Sequence, residues 1–172
     1  MRAMSKPVKS SCEELWRRLV EAEAAFYAAR GSLFTTCRNE LVELSRLALH
    51  TPNQRATALG IIKLLSIEEQ QSLLPDLLSV ACFNHGQTAV ARELVLALPR
   101  EWLINRIEEA AEPLLQFDSY EEYLWLFEIY MELDASLARK LAQRAADHSD
   151  VDIQDAARHF YQALSERVDG PA

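Results

Sequence analysis

An all-α, right-handed solenoid of about four stacked helical hairpins, preceded by an N-terminal capping helix, is the architecture this sequence predicts. Three observations carry the expectation. The punctuation recurs every 34 residues, because Ser32, Ser66, Arg100 and Asp134 each stand between one apolar-periodic segment and the next. Repeats of roughly 20 to 50 residues belong to solenoids, in which each unit buries its apolar face only against its neighbours. With 172 residues, 49% of them hydrophobic, the chain can bury a sizeable core, and one domain over residues 10–168 is the economical reading. Finally, only 4 Gly are present and the 6 Pro fall mostly at the tails or helix ends, which leaves little of the turn chemistry that a many-stranded sheet needs.

Residues 1–9 (MRAMSKPVK) read as a disordered arm, with Met4 as an alternative start. An amphipathic helix is expected from Ser11 to Arg30, with Leu15, Leu19, Ala22 and Phe26 on one stripe and Glu14, Arg17, Arg18 and Glu21 turned away. A polar-backed first helix suits the N-terminal cap of a solenoid. Gly31 is expected to end it and Ser32 to cap the next helix.

The first hairpin then pairs residues 33–49 with 52–65, the second 67–83 with 88–98, the third 102–116 with 120–133, and the fourth 135–147 with 151–167. Each contains a short break: His50-Thr51-Pro52, Asn84-His85-Gly86, Phe117-Asp118-Ser119 and Ser149-Asp150. Placing the second helices in register aligns Ile61, Val95, Ile129 and Ala163 in one column, and Ile62, Leu96, Tyr130 and Leu164 in the next. These columns are the expected core between repeats. The stretch Arg167-Val168-Asp169-Gly170-Pro171-Ala172 reads as a chain end.

The segment from His50 to Gly60 (HTPNQRATALG) has the turn and second-helix pattern of a HEAT repeat, and residues 150–157 (DVDIQDAA) echo it. Pro75 and Pro113 lie inside first helices, where helices of that type are often bent. Over residues 33–167 the chain therefore resembles the HEAT-like α-solenoid family. The resemblance implies a stack of helical hairpins and leaves function open, since such repeats serve many partners. The Trp, Gly, Tyr and Ala pattern of tetratricopeptide repeats, which share the period, is not found in any hairpin.

Charge narrows the function classes. Residues 1–86 carry 10 Lys and Arg against 9 Asp and Glu, whereas residues 87–172 carry 8 against 17. The first half is neutral and the second is strongly acidic. That asymmetry opposes nucleic-acid binding, which needs clustered Lys and Arg, and favours a cationic partner for the second half. No leader pattern and no run of about 18 apolar residues is found, so the chain reads as cytoplasmic. Cys12, Cys37 and Cys82 are odd in number, far apart and set in helical patterns. They are expected to be small buried hydrophobes rather than disulfide partners or metal ligands.

No catalytic motif, cofactor loop or metal site emerges. His50, His85 and His148 recur by hairpin at helix ends. Residues one repeat apart cannot share an ion whose nitrogen ligands lie about 2 Å away, whereas a helix C-terminus favours His on its own account. His159 has no evident partner. The acidic run from Asp147 to Asp155 fails the calcium-loop pattern: counting from Asp150, the sixth and twelfth positions hold Asp155 and Tyr161 instead of Gly and Glu. Its acids suit the first turn of a helix.

The stretch from Glu101 to Asp134 stands apart, with ten acids against one base, Arg106, together with Phe117, Tyr120, Tyr123, Trp125, Phe127 and Tyr130. On a helix over residues 120–133, Tyr120, Tyr123, Phe127 and Tyr130 lie close to one apolar face, and Leu126, Ile129 and Leu133 form a second. Glu121, Trp125, Glu128 and Glu132 share the remaining stripe. An indole among carboxylates is suited to anchor a cation. The expected function is a non-enzymatic protein-interaction module, an adaptor or scaffold. It would present Glu121, Trp125, Glu128 and Glu132 to a basic peptide or protein, with Glu108, Glu109 and Glu112 adding field. An acidic inhibitor or immunity-type protein covering a basic cleft is the sharper form of the same idea. A DNA glycosylase-type enzyme of HEAT-like fold is the rival, and the acidic second half opposes it.

Overall fold

Residues Lys9–Thr36 form one uninterrupted helix, α1, which runs straight through Gly31 and Ser32. The expected stop at Gly31 and cap at Ser32 are therefore not made. A glycine inside a helix costs only about 1 kcal/mol relative to alanine, too little to end one flanked by Ala28, Ala29 and Leu33. Ser32 instead turns its hydroxyl back onto the Ala28 carbonyl at 3.1 Å, and Thr35 donates to the Ser32 carbonyl at 3.0 Å. The break falls at Cys37, followed by a single 3-10 turn over Arg38–Glu40.

The structure, a computed structural model, describes residues 9–83, 86–116 and 119–169. The expected arm thus lies outside the described residues except for Lys9, as do Asn84, His85, Phe117 and Asp118 of the expected breaks. The chain divides into two units, residues 1–41 and 42–172. In the first, the stripe that a capping helix would bury is open: Leu15, Leu19 and Phe26 are 58%, 60% and 45% exposed.

The second unit holds the remaining helices: α2 (Leu41–Leu49), α3 (Arg55–Ile62), α4 (Ile67–Ser72), α5 (Leu74–Ala81), α6 (Thr88–Leu96), α7 (Arg100–Ile104), α8 (Ile107–Leu115), α9 (Tyr120–Leu133), α10 (Ala135–Ala146) and α11 (Val151–Asp169). No strand occurs among the described residues. Local chemistry explains most of the boundaries. Ser66 accepts from the Glu69 N–H at 3.3 Å while the Glu69 carboxylate accepts from the Ser66 N–H at 2.8 Å, a capping box that starts α4. Asp134 extends to accept from the Ser136 N–H at 2.7 Å and caps α10. Three expected single helices are split, the first of them, residues 33–49, at Cys37 between α1 and α2. Residues 67–83 break at Leu73, because Pro75 has no N–H for the Gln71 carbonyl and its ring crowds that turn; the helix restarts with Pro75 in its first turn. Residues 102–116 break at Asn105 and Arg106, whereas Pro113 is carried inside α8.

Helices α5 and α6 pack as a hairpin, as do α8 with α9 and α10 with α11. Between hairpins, α5 meets α8, α6 meets α9, and α9 meets α11. Five ion pairs follow the same order. Arg46 of α2 reaches Asp76 of α5 at 2.6 Å, and Lys63, just past α3, reaches Glu93 of α6 at 3.2 Å. Arg92 of α6 reaches Glu128 of α9 at 2.6 Å, while Lys140 and Arg144 of α10 reach Glu108 and Glu112 of α8 at 2.9 and 2.5 Å.

The core is apolar and takes in most residues of the expected columns, although Ala163 is only half-buried. Ile61, Val95 and Ile129 are buried, as are Ile62, Tyr130 and Leu164. Leu96 departs from its column: it closes α6 and is only half-buried, while its neighbour Val95 is completely enclosed. Tyr120, expected on the aromatic face of α9, is 40% exposed at the first residue of that helix. Tyr123, Phe127 and Tyr130 are buried. Among the cysteines only Cys82 is fully buried; Cys37 is half-buried and Cys12 exposed, all three free.

Candidate functional site

The acidic stripe of α9 is built largely as expected, but a cation of the chain itself stands on it. The Arg92 guanidinium lies 5.2 Å from the centre of the Trp125 ring and 2.6 Å from a Glu128 oxygen. Trp125 is half-buried beneath it. The position that sequence reasoning reserved for a partner's cation is therefore filled by α6. Arg92 was missed because it lies 36 residues from Glu128, and only the register between hairpins brings the two together.

The supporting acids are likewise engaged. Glu108 and Glu112 face the basic side of α10, and Glu109 pairs with Arg106 at 3.5 Å. The Arg144 hydrogen bond holds the Glu112 carboxyl below its ordinary value. Glu108 and Glu112 thus join α8 to α10, and Glu109 pairs with the residue that precedes α8. Glu121 and Glu132 stay exposed on α9.

What the sequence did not reveal is a groove between α9 and α11. One part, about 610 Å³, is lined by Arg92, Glu128, Met131, Glu132, Phe160 and Ala163. The adjoining part, about 420 Å³, lies between Tyr120 and Leu124 on one side and Asp152, Asp155, Ala156 and His159 on the other, and Phe160 belongs to both parts. Spacing explains the construction. Tyr120, Leu124, Glu128 and Glu132 recur at four-residue intervals along one face of α9, and Asp152, Ala156, Phe160 and Ala163 do nearly the same along α11. The linings mix apolar side chains with four acids, Glu128, Glu132, Asp152 and Asp155, and with Arg92 and His159; Glu128 is paired with Arg92 and Asp155 with Arg158. Phe160 is fixed by stacking on the buried Phe127 ring at 4.5 Å, and His159 meets Phe160 edge to face.

Other groups singled out in the sequence have structural roles. His50 meets Asp76 at 2.9 Å, beside Arg46. His148 accepts from the Asp150 N–H at 3.0 Å and lies edge-on to Tyr123, while Asp150 accepts from the Asp152 N–H at 2.8 Å at the start of α11. No group of three or more His, Cys, Asp or Glu placed to hold a metal is found among the described residues. The Cys82 thiol is pushed up to about 12, chiefly by burial and then by the charge of Glu122, so it stays protonated and lacks the thiolate that a nucleophile needs. No described helix is long and apolar enough to cross a membrane.

Comparison of the chain with protein-family models, curated proteins and solved structures gives no match.

Proposed function

We propose that this chain is a non-enzymatic, cytoplasmic interaction module, built as a right-handed HEAT-like solenoid, which takes a basic peptide or a basic segment of a protein into the groove between α9 and α11. The observation that carries the reading is the lining between the two helices, where Leu124, Met131 and Phe160 stand with Glu128 and Glu132 of α9 and Asp152 and Asp155 of α11, so that acids outnumber the one lining Arg, Arg92. An amphipathic helix or extended segment bearing Lys or Arg fits such a groove, its apolar residues against the apolar side chains and its cations beside the acids. The solenoid reading is supported by hairpin partners that follow chain order and by ion pairs joining residues 30 to 36 positions apart. With Arg92 already seated on Trp125, the outer stripe supplies Glu121 and Glu132 rather than an empty indole.

The test is a titration with two amphipathic peptides of equal apolar content, one carrying Lys and the other Glu on its polar face. The Lys peptide binds and the Glu peptide does not, and added salt weakens the binding. Charge reversal by Glu132→Lys together with Asp152→Lys weakens it by about tenfold or more. Equal affinity for both peptides, or an unchanged affinity in the double variant, rejects the groove as the site.

A further inference from the structure

Helix α1 carries a second pattern, unrelated to the 34-residue punctuation. Cys12, Leu15, Leu19, Ala22, Phe26, Ala29 and Leu33 follow one another at alternating intervals of three and four residues. That is the a/d seam of a heptad repeat, sustained for three heptads, and its period of 3.5 rather than 3.6 is what a supercoiled helix pair needs. Six of the seven seam residues, Cys12, Leu15, Leu19, Ala22, Phe26 and Ala29, are exposed, and Leu33 is half-buried. The ion pairs within the helix, Arg17 with Glu14 and Glu21, occupy the c and f positions, on the side away from the seam.

From this we infer that α1 pairs with α1 of a second copy as a parallel, in-register, two-stranded coiled coil. The flanking positions select the partner and its direction. In the parallel arrangement each g residue faces the e residue of the following heptad on the other chain. Arg18 then faces Glu23 of the second copy, and by symmetry this favourable pair occurs twice. The remaining e residues, Trp16 and Arg30, face Ser11 and Ala25, so no like charges meet. Of the two antiparallel registers that pair a with d residues, one places Glu23 against its own copy, which is unfavourable, and the other faces Arg18 with Ala25 and Glu23 with Trp16, so neither makes the Arg18–Glu23 pair of the parallel form. The heptad rather than the groove carries this inference, so it stands or falls independently of the proposed function. Its consequence for that function is bivalency: one assembly would hold two grooves and bind a paired partner more tightly than one groove does.

Cys12 provides the probe, because a parallel in-register pair brings the two first a positions together. The full chain is studied with Cys37→Ser, by sedimentation and by oxidation with diamide at micromolar protein. The expected results are a mass twice the 19.5 kDa of one chain and a disulfide-linked dimer that disappears with Cys12→Ser. Arg18→Glu, which sets Glu against Glu23, should lower the cross-linked fraction by about tenfold, and adding Glu23→Arg should restore it. Both substitutions lie on exposed positions, and helix content by circular dichroism verifies that the fold is kept. A monomer throughout, a dimer without the Cys12 link, or a dimer indifferent to Arg18→Glu overturns the inference.

Discussion

At Arg92 a single side chain decides what the most acidic surface of the molecule can do. Its guanidinium is mostly covered, ion-paired to Glu128 and stacked on Trp125. Arg92→Ala is expected to lower stability by about 1 to 3 kcal/mol, because it removes a charged hydrogen bond and a cation–π interaction at once; urea unfolding measures it, and a decrease under about 0.5 kcal/mol contradicts the assignment. Glu122 is the opposite case. It is 4% exposed on α9, and one carboxylate oxygen has no hydrogen-bond partner among the described residues. Replacing a buried, incompletely satisfied carboxylate with an apolar side chain of similar size removes a desolvation cost, so Glu122→Met should raise the urea midpoint, by about 1 to 3 kcal/mol in stability. A fall instead would mean that the charge is compensated. The cysteines separate by environment: under native conditions a thiol reagent should label Cys12, leaving buried, protonated Cys82 untouched until the protein unfolds.

Among the helices, the caps show how much local chemistry accomplishes. Asp134 accepts hydrogen bonds from the Ser136 hydroxyl and N–H, which hold its carboxyl below its ordinary 3.8. A depressed carboxyl contributes stability that is present above its unfolded-state value and lost as the pH falls through the folded one. Asp134→Ala should therefore cost roughly 1 kcal/mol at neutral pH, and the gap between variant and parent should close on acidification below 3.8. Unfolding curves across that range measure the gap; one that persists into strong acid excludes the carboxylate as the capping group. The prolines teach a complementary lesson. Pro75 interrupts its helix because the turn before it must open, whereas Pro113 is tolerated in α8, so proline alone does not mark a break.

For the molecule as a whole, packing outweighs the ion pairs that trace the hairpin order. Ile129 is fully enclosed, and Ile129→Ala should cost about 2 to 5 kcal/mol, with half-buried Leu96→Ala costing less. Lys140→Ala and Arg144→Ala remove exposed pairs and should each change stability by less than about 1 kcal/mol. The reverse ranking in thermal or urea unfolding would refute a packing-dominated fold. The charge distribution makes a separate forecast: titration with duplex DNA or single-stranded RNA at about 0.15 M salt should show no binding at micromolar protein. Tight, steeply salt-dependent binding would instead favour the glycosylase-type alternative.

By itself the sequence determined the all-helical class, the extents of α9 and α10, the start of α11 and the burial of Ile61, Val95 and Ile129. Those features depend on hydrophobic period and on local punctuation, such as Asp134 at the start of α10. The extent of α1 was misread at Gly31, since a local propensity of about 1 kcal/mol was given the weight of a stop. Only the tertiary structure decided that Arg92 sits on Trp125, that Glu108 and Glu112 turn to α10, and that Phe160 lines a groove with α9. Each depends on how one hairpin is placed on the next, which brings together residues more than thirty positions apart. No local pattern encodes that displacement, because it is set by the packing of whole helix faces.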